Sequence, residues 1–325
     1  MSLTVNAAFN SFNQIIVNLD TERTKIARSS RDWLIGQLVN LPNKVADFPL
    51  LFDGMHIKYG SFARNTKIRE LDDIDLIICL HAQGTQYGNS YSGAYTLVPP
   101  STAKTLLGLC NDDGTLNSIK LVNKFKNALS QIEHYKAAEI HRKQEAVTLS
   151  LSSYEWVFDI VPAFHSVHGY YEIPDGSGGW KPTNPEIDQE KVNRINTKHN
   201  GRLLQLIRTL KFWNRRAMTT TIPSYLFENM ILNYCDNRVA ISEYIDFALR
   251  DFWSYFINGI HYSVPDPKGF QGELNTLSQE QRDSISAKAQ DAYNRAQDAI
   301  RFETTDKNQQ AAINKWAEIF GPNFN

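Results

Sequence analysis

Two aspartates one residue apart, Asp73 and Asp75, begin the apolar run "DIDLIICL". In a β-strand, alternate side chains project from one face, so both carboxylates are expected to point the same way while Ile74 points into the core. Two ionised carboxylates this close raise each other's pKa unless a cation lies between them. Mg²⁺ suits such a pair, because it prefers oxygen ligands and is commonly held by one or two carboxylates plus substrate phosphates.

A third carboxylate, Asp159, lies in the distant apolar run "WVFDIVPAF". A lone carboxylate buried among apolar side chains is costly unless it has a partner. If its strand lies beside the strand of Asp73 and Asp75, the three acids can hold two metal ions. One ion then activates an attacking hydroxyl, and the other stabilises a leaving pyrophosphate.

A small-residue turn, Gly60-Ser61 in "YGSFARNT", precedes the aspartate pair. Glycine lets the backbone approach a ligand without a Cβ clash, and exposed N–H groups together with a hydroxyl bind phosphate oxygens. Arg64 and Thr66 lie on the same loop, where they either contact the ligand or only buttress the turn. A Gly-Ser pair or an Asp-x-Asp motif alone is common, so the prediction of a phosphate and metal site depends on the combination.

The composition is that of an ordinary globular protein and excludes several classes. The chain has 325 residues, 42% hydrophobic and 21% charged, with a net charge of −1. A protein whose main task is to grip duplex DNA usually has a large basic excess. No apolar run approaches the roughly 20 residues needed to span a bilayer, and the N-terminus lacks the pattern of a secretory signal. We therefore expect a cytoplasmic protein that does not bind membranes.

The elements that must position these residues follow from hydrophobic periodicity and turn signals. The pattern predicts one long helix over the first 40 residues, closed by Pro42, then strands at "MHIKYGS" and "IDLIICL". A surface loop is expected over 81–101, a helix over 117–136, and an antiparallel strand pair at "EAVTLSLSS" and "WVFDIVPAF". Turn-forming residues fill 165–189. Helices are predicted beyond it, at 190–216, 223–235, 239–257, 278–302 and 309–320.

This order predicts an α+β protein with two domains. Residues 1–185 would form the lobe that carries the carboxylates together with a long N-terminal spine helix, and residues 186–325 would form a helical lobe. The three cysteines are far apart and lack the spacing of a zinc site, so we expect buried, reduced thiols.

The motifs resemble those of the DNA polymerase β-like nucleotidyltransferases and, more narrowly, the cGAS/DncV-like nucleotidyltransferases (CD-NTases) of bacterial anti-phage defence. The resemblance covers most of the chain. It implies a polymerase β-like lobe with a mixed sheet, packed on a helical lobe with the active-site cleft between them. It is carried by Gly60-Ser61, Arg64, Thr66, Ile68, Asp73-Ile74-Asp75, "FDIVPAF", "IPDGSGGWKPTNP", "LKFWN", "PSYLFE" and "VPDPKGFQGELN".

The resemblance also implies roles for individual residues. Asp73, Asp75 and Asp159 would bind Mg²⁺, with Mn²⁺ as an alternative, and Gly60 and Ser61 would contact the donor triphosphate. Three residues of the helical lobe would complete the donor site: Lys211 and Ser224 at the β- and γ-phosphates, and Tyr225 stacked on the base. The alternatives are a surface lysine at 211, a helix-capping serine at 224 and a core tyrosine at 225.

The activity that this resemblance implies is synthesis of a cyclic di- or trinucleotide second messenger from NTPs, with release of pyrophosphate. The product would act on a downstream effector. The resemblance also allows for CBASS regulatory proteins as partners of the enzyme. The zinc-bound insert of the animal DNA sensor is absent from the sequence, so activation by DNA is not implied. Two alternatives stay open: a linear oligonucleotide synthase or a nucleotidyltransferase acting on RNA or protein, and a nucleotide-binding regulator without turnover.

Overall fold

A computed structural model describes residues 4–88, 96–217 and 221–325 of the chain. Within it the chain divides into two compact units. The first, which we call the sheet unit, consists of Thr21–Arg64 and Leu71–Glu186. The second, the helical unit, consists of the N-terminal segment through Asp20, the short segment Asn65–Glu70, and Ile187–Asn325.

The sheet unit is built on a mixed sheet of seven strands in the order β1-β2-β7-β6-β5, with β8 paired to β7 and β9 to β8. The β2 and β7 strands pair in parallel, and the other pairs of this sheet are antiparallel. A separate hairpin pairs β3 with β4. The strands are β1 (Ile57–Tyr59), β2 (Asp73–Leu80), β3 (Gln86–Gly88), β4 (Thr96–Val98), β5 (Glu139–Lys143), β6 (Ala146–Ser150), β7 (Val157–His165), β8 (Tyr171–Pro174) and β9 (Trp180–Thr183).

Twelve α-helices, one π-helix (Asn13–Val17) and one 3₁₀-helix (Glu133–Tyr135) are found in the part of the chain that the structure describes. The α-helices are α1 (Val5–Phe12), α2 (Thr21–Val39), α3 (Leu41–Lys44), α4 (Gly60–Ala63), α5 (Lys104–Leu107), α6 (Ser118–Leu129), α7 (Pro185–Lys198), α8 (Leu203–Ala217), α9 (Ser224–Asp236), α10 (Ile245–Gly259), α11 (Gln279–Thr304) and α12 (Gln309–Phe320).

The central strands β2 and β7 form because their sequences are apolar on both faces after the first three residues of each strand. In β2, every residue from Leu76 to Leu80 is buried, and in β7 the run from Ile160 to Phe164 is buried as well. Continuous burial of this kind is typical of strands in the middle of a sheet that is covered on both faces. The polar residues of β2 and β7 are therefore confined to the strand ends, where the candidate carboxylates lie.

The helical unit has an aromatic core to which α1, α8, α9, α10 and α12 contribute buried rings. Helix α11 packs through small residues, because Ala289, Ala292, Ala296 and Ala299 recur every three or four positions on its buried face. Its start is fixed by a capping box, in which Ser278 and Gln281 satisfy each other's backbone N–H groups. The α1 helix contributes Phe9 and Phe12 to this core.

The α+β class and the mixed sheet are confirmed, but the predicted N-terminal helix is wrong in its extent. The chain leaves the helical conformation at Asn18, which has φ −77° and ψ 150°. Its side chain forms hydrogen bonds with Gln205 and Arg208 of α8. The spacing of apolar residues along the sequence cannot predict hydrogen bonds between residues so far apart in the chain. Because the helix breaks at Asn18, α1 belongs to the helical unit and α2 to the sheet unit. Pro42 lies in the first turn of α3 and does not end the preceding helix.

Several other predicted elements differ from the structure in detail. The predicted loop 81–101 contains the β3–β4 hairpin, and its residues 89–95 lie outside the described part of the chain. The turn-rich region 165–189 contains β8 and β9. The helix predicted at 190–216 is two helices, because Asn200 and Gly201 have φ values of 54° and 82°. By contrast, α9, α11 and α12 agree with the predicted ranges to within about two residues.

Candidate active site

The predicted carboxylates of β2 and β7 lie on one face of the sheet. Asp75 and Asp159 are register partners in the parallel pair, so they are direct neighbours across strands about 4.8 Å apart. Asp73 precedes Asp75 by two residues and therefore shares its face. All three are partly exposed, whereas Ile74 and Phe158 between them are buried. The two distant sequence motifs thus bring three acids to the start of two adjacent strands.

Asp75 and Asp159 belong to a continuous polar row across the sheet. Tyr59 on β1 is the register partner of Asp75, and Thr148 on β6 is the partner of Asp159. Burial raises the pKa of the Tyr59 hydroxyl well above its usual range, and the charges of Asp75 and Asp159 raise it further. The phenol therefore stays neutral beside the carboxylates.

The surroundings of Asp159 fit a cation ligand. Burial raises its pKa, and the negative charge of Asp73 adds to the effect. Its Oδ1 atom is buried and has no hydrogen-bond partner among the described residues, which is costly for a carboxylate oxygen. Within residues 4–88, 96–217 and 221–325, no group of three or more His, Cys, Asp or Glu side chains is arranged closely enough to hold a metal ion by itself. The oxygen donor set nevertheless matches the preference of Mg²⁺, which takes its remaining ligands from water and substrate phosphates.

Gly60 connects β1 to the one-turn helix α4 and lies directly against Asp75. Its φ of 76° is in the left-handed region that favours glycine. A Cβ built on it would lie 1.7 Å from Oδ2 of Asp75. Ser61 follows in α4 and is partly exposed, whereas Arg64 at the end of α4 is buried. The small-residue turn and the aspartate pair are therefore one structural feature of the sheet unit.

In the helical unit, Thr66 and Lys211 meet at Glu228, a residue that the sequence analysis missed. The Thr66 hydroxyl donates to Oε2 of Glu228 at 2.8 Å, and the Lys211 ammonium forms an ion pair with the same oxygen. The Lys211 and Glu228 side chains are only 7% and 2% exposed, so Lys211 is not a surface lysine. The available signal for Glu228 was an acid inside the apolar helix "SYLFENMILNYCD", the same kind of signal that identified Asp159.

The segment Asn65–Glu70, which leads from the glycine turn to the aspartate pair, is anchored within the helical unit. Arg208 on α8 donates to the backbone oxygen of Asn65 at 2.8 Å and to the side chain of Asn18 at 2.7 Å. Arg69 donates to the backbone oxygen of Asn18 at 3.0 Å. Together with the Thr66 bond, these contacts hold both ends of the segment.

The last two predicted donor-site residues, Ser224 and Tyr225, begin α9. Ser224 is the first helical residue and is exposed, and the capping position is occupied by Pro223 without a side-chain cap. The capping alternative for Ser224 is therefore wrong. Tyr225 is partly buried, with its hydroxyl donating to Oδ1 of Asp188 at 2.7 Å. Burial raises the pKa of Tyr225, and the charge of Asp188 adds to the effect, so the phenol stays protonated.

The predicted site residues thus fall into two groups. The sheet unit brings together Gly60, Ser61, Arg64, Asp73, Asp75 and Asp159, and the helical unit carries Thr66, Lys211, Ser224 and Tyr225. Within the helical unit, Thr66 and Lys211 share one buried network, while Tyr225 is held by a second set of charged residues.

The chain is similar to known proteins in domain, sequence and fold. Residues 106–196 match the family described as the Second Messenger Oligonucleotide or Dinucleotide Synthetase domain (SMODS). The chain is 47% identical over 330 residues to a probable cyclic nucleotide synthase of Bacillus cereus (strain VD146), covering 100% of this chain and 98% of that protein.

Solved structures of CdnC and DncV share the fold. CdnC of E. coli MS115-1 with ATP is 19% identical, with a TM-score of 0.70 over 98% of both chains. The same protein in a complex named CdnC:HORMA-deltaN is 18% identical, with a TM-score of 0.72 over 99% of this chain and 98% of that one. The apo form of Vibrio cholerae DncV is 13% identical, with a TM-score of 0.70 over 99% of this chain and 96% of that one.

No helix in the described ranges combines the length and the apolar character that crossing a bilayer requires. The near-full-length relative at 47% identity and the SMODS match agree with the fold shared with CdnC and DncV. The chain therefore belongs to the cGAS/DncV-like nucleotidyltransferases (CD-NTases), and it is a nucleotidyltransferase of the cyclic oligonucleotide synthase class.

Proposed function

We propose that this enzyme joins NTPs into a cyclic di- or trinucleotide second messenger, with release of pyrophosphate, as part of anti-phage signalling in the cytoplasm. The single observation that carries the proposal is the register pairing of Asp75 with Asp159, which places both carboxylates and Asp73 on one face beside the Gly60 turn. A site with this donor set suits phosphoryl transfer, in which catalysis depends on positioning and charge neutralisation.

The bond changes of the proposed reaction are those of nucleotidyl transfer. The ribose hydroxyl oxygen of one nucleotide forms a bond to the α-phosphorus of the donor NTP, and the bond from the α-phosphorus to the bridging oxygen breaks. Pyrophosphate leaves with the electron pair of that bond. The proton of the attacking hydroxyl leaves to solvent water as the new bond forms, and Asp159 is assigned only as a metal ligand.

Asp73, Asp75 and Asp159 would hold Mg²⁺, or Mn²⁺ in its place, and the bound ions would supply charge neutralisation at the reacting phosphate. Gly60 and Ser61 bind the donor triphosphate through backbone N–H groups and a hydroxyl. Lys211 and Ser224 contact its β- and γ-phosphates, and Tyr225 stacks on the donor base. Arg64 and Thr66 support the loop that leads from the Gly60 turn to Asp73 and Asp75. The buried ion pair of Lys211 with Glu228 supports a fixed position for the ammonium.

The proposed partners are NTP substrates, a downstream effector that responds to the product, and CBASS regulatory proteins. The structural relationship to CdnC supports the last of these, since CdnC was solved in a complex with HORMA-deltaN and also with ATP. Neither DNA nor a membrane is proposed as a partner.

The test is incubation of the purified protein with radiolabelled NTPs and Mg²⁺ or Mn²⁺, followed by phosphatase treatment and chromatography. The expected result is a phosphatase-resistant product with matching release of pyrophosphate, absent from Asp73→Ala/Asp75→Ala. A phosphatase-sensitive product, or label on RNA or polypeptide, would instead assign a linear synthase or a transferase. Tight NTP binding without pyrophosphate release from the wild type would assign a regulator without turnover.

A further inference from the structure

The ring of Tyr225 is held on one face and at its hydroxyl by charged residues of the helical unit. Its hydroxyl donates to Oδ1 of Asp188 at 2.7 Å and lies 3.3 Å from Oδ1 of Asp266. The ammonium of Lys268 lies 4.4 Å from the centroid of the ring, in the geometry of a cation–π contact. The ring therefore has one defined orientation at the start of α9.

Lys268 is itself held in place and is not a mobile surface lysine. Its side chain is 8% exposed, and its ammonium lies 3.5 Å from Oδ2 of Asp188 and 3.9 Å from Oδ1 of Asp266. A lysine buried to this degree loses rotamer entropy and hydration, which its two carboxylate partners and the ring must offset.

The loop that carries Lys268 is built around Asp266. The Oδ2 atom of Asp266 accepts the backbone N–H groups of Phe270 and Gln271, both at 3.1 Å. The backbone N–H of Asp266 donates to the oxygen of Gly272 at 2.7 Å, which closes the loop. This is the motif "VPDPKGFQGELN", and its geometry projects Lys268 onto Tyr225.

We propose that Lys268 is a positioning residue for the donor nucleotide: it covers one face of Tyr225, and the nucleobase stacks on the opposite face. This inference rests on the proposed function, in which Tyr225 stacks on the donor base. Asp188 and Asp266 act with Lys268 by holding the hydroxyl end of the ring. Together these residues form a charged clamp, defined as Asp188, Asp266 and Lys268, that presents one face of Tyr225.

Two physical effects give the clamp a role in binding. A ring that is already fixed loses no rotamer entropy when a base stacks on it, so the nucleotide binds more tightly than to a mobile ring. Stacking of a base on an aromatic side chain contributes about 5- to 150-fold in affinity, so loss of the orientation should cost part of that range. Because stacking acts on the base and not on the reacting phosphate, the effect should fall on KM and leave kcat nearly unchanged.

The experiment compares five variants with wild type under steady-state turnover, varying the donor NTP. Lys268→Met removes the cation but leaves two buried carboxylates without it, which threatens folding. The decisive variant is therefore Lys268→Met/Asp188→Asn, which removes one positive and one negative charge and keeps an acceptor for the Tyr225 hydroxyl. Lys268→Arg retains a cation that can lie over the ring and serves as the rescue. Tyr225→Leu removes the ring.

The expected result is a KM raised about tenfold in Lys268→Met/Asp188→Asn, with kcat within about twofold of wild type and a KM close to wild type in Lys268→Arg. In the Tyr225→Leu background, adding Lys268→Met/Asp188→Asn should change KM by less than about twofold, since the clamp acts through the ring. An unchanged KM in the double variant, or a full tenfold effect without the ring, overturns the inference.

This outcome is distinct from failure of the proposed function. If wild type turns over and the clamp variants match it, the proposed function stands and the clamp is excluded. If wild type makes no product, calorimetric binding of the α,β-methylene analogues of the four NTPs replaces KM. The same tenfold loss of affinity supports the clamp in that case, and equal affinity of wild type and the double variant overturns it.

Discussion

Gly60 and Asp75 approach each other so closely that a Cβ on Gly60 would lie 1.7 Å from the carboxylate oxygen Oδ2. The glycine turn and the aspartate pair are 15 positions apart in the chain, but the antiparallel pairing of β1 with β2 brings them together. The turn can therefore lie against the carboxylate only while residue 60 lacks a side chain. This contact explains why the residue at position 60 is a glycine.

Gly60→Ala should abolish product formation, with a loss of at least about 100-fold, because Asp75 must move to admit the methyl group. The matched control is Gly54→Ala. Gly54 has a similar φ of 80°, yet a Cβ there would meet nothing within 4 Å. Both variants should lose about 1 kcal/mol of stability from the left-handed backbone, but Gly54→Ala should retain activity. Urea unfolding and product assays measure the two effects, and an active Gly60→Ala enzyme would contradict the assigned geometry.

Asp159→Asn should stabilise the apo protein at neutral pH while removing activity. The pKa of Asp159 in the folded state is raised above its ordinary value of 3.8, chiefly by burial. The fold therefore favours the protonated acid, and the wild type loses stability as the pH rises through that folded-state pKa. Asparagine does not titrate, so its advantage should grow as the pH rises above the ordinary pKa of 3.8 and level off once the pH exceeds the raised folded-state pKa of Asp159.

Urea unfolding of wild type and Asp159→Asn across a pH range that spans both pKa values measures the effect. Asp72→Asn, at an exposed neighbouring acid, is the control for a change of net charge. Millimolar Mg²⁺ should raise the urea midpoint of wild type more than that of Asp159→Asn. A constant difference in midpoint at all pH values, with no Mg²⁺ dependence, would argue against both the titration and the metal role.

Lys211→Met should destabilise the protein by about 3–5 kcal/mol, because it leaves the buried Glu228 carboxylate without its cation. Lys211→Met/Glu228→Gln removes both charges and should recover most of that stability. If Lys211 also binds donor phosphates, the double variant should fold well and yet lose activity by about 100-fold. A stable double variant with wild-type turnover would limit Lys211 to a structural role. Urea unfolding and initial rates distinguish the two outcomes.

Arg208→Met should loosen the segment Asn65–Glu70, because it removes hydrogen bonds to the Asn65 backbone and to Asn18. The expected results are faster amide hydrogen exchange in this segment and a kcat lowered about tenfold, since the segment leads into Asp73. Arg215→Met, at an exposed position of the same helix, is the control. Unchanged exchange in this segment would show that the remaining anchors at Thr66 and Arg69 suffice.

Much of the candidate site could be predicted from the sequence because the signals are local. The apolar run after Asp75 predicted a buried strand, and alternate spacing placed Asp73 and Asp75 on one face. An acid inside the apolar run around Asp159 pointed to a buried partner or ligand. The helices α9, α11 and α12 were predicted for the same reason, since their apolar spacing repeats over several turns.

Other features depend on contacts between residues far apart in the chain. Glu228 was missed, although an acid in an apolar helix carried the same signal as Asp159, because its partners Thr66 and Lys211 are distant in sequence or on another helix. The break at Asn18 was missed because the apolar period continues through it, and the bonds to α8 that hold Asn18 are long-range. The spacing of apolar residues along the chain predicts neither the contacts of Glu228 nor those of Asn18.

The sequence by itself determined which side chains are candidates for the chemistry, because side-chain type and strand periodicity are properties of neighbouring positions. Tertiary structure alone decided that Asp159 is paired with Asp75, that Gly60 lies against the Asp75 carboxylate, and that Lys268 covers Tyr225. Strand register and ion pairing are set by the packing of distant segments, which must satisfy every buried polar group at once. The amino-acid sequence shows which polar side chains are present, but it does not show which partner each of them contacts in the folded protein.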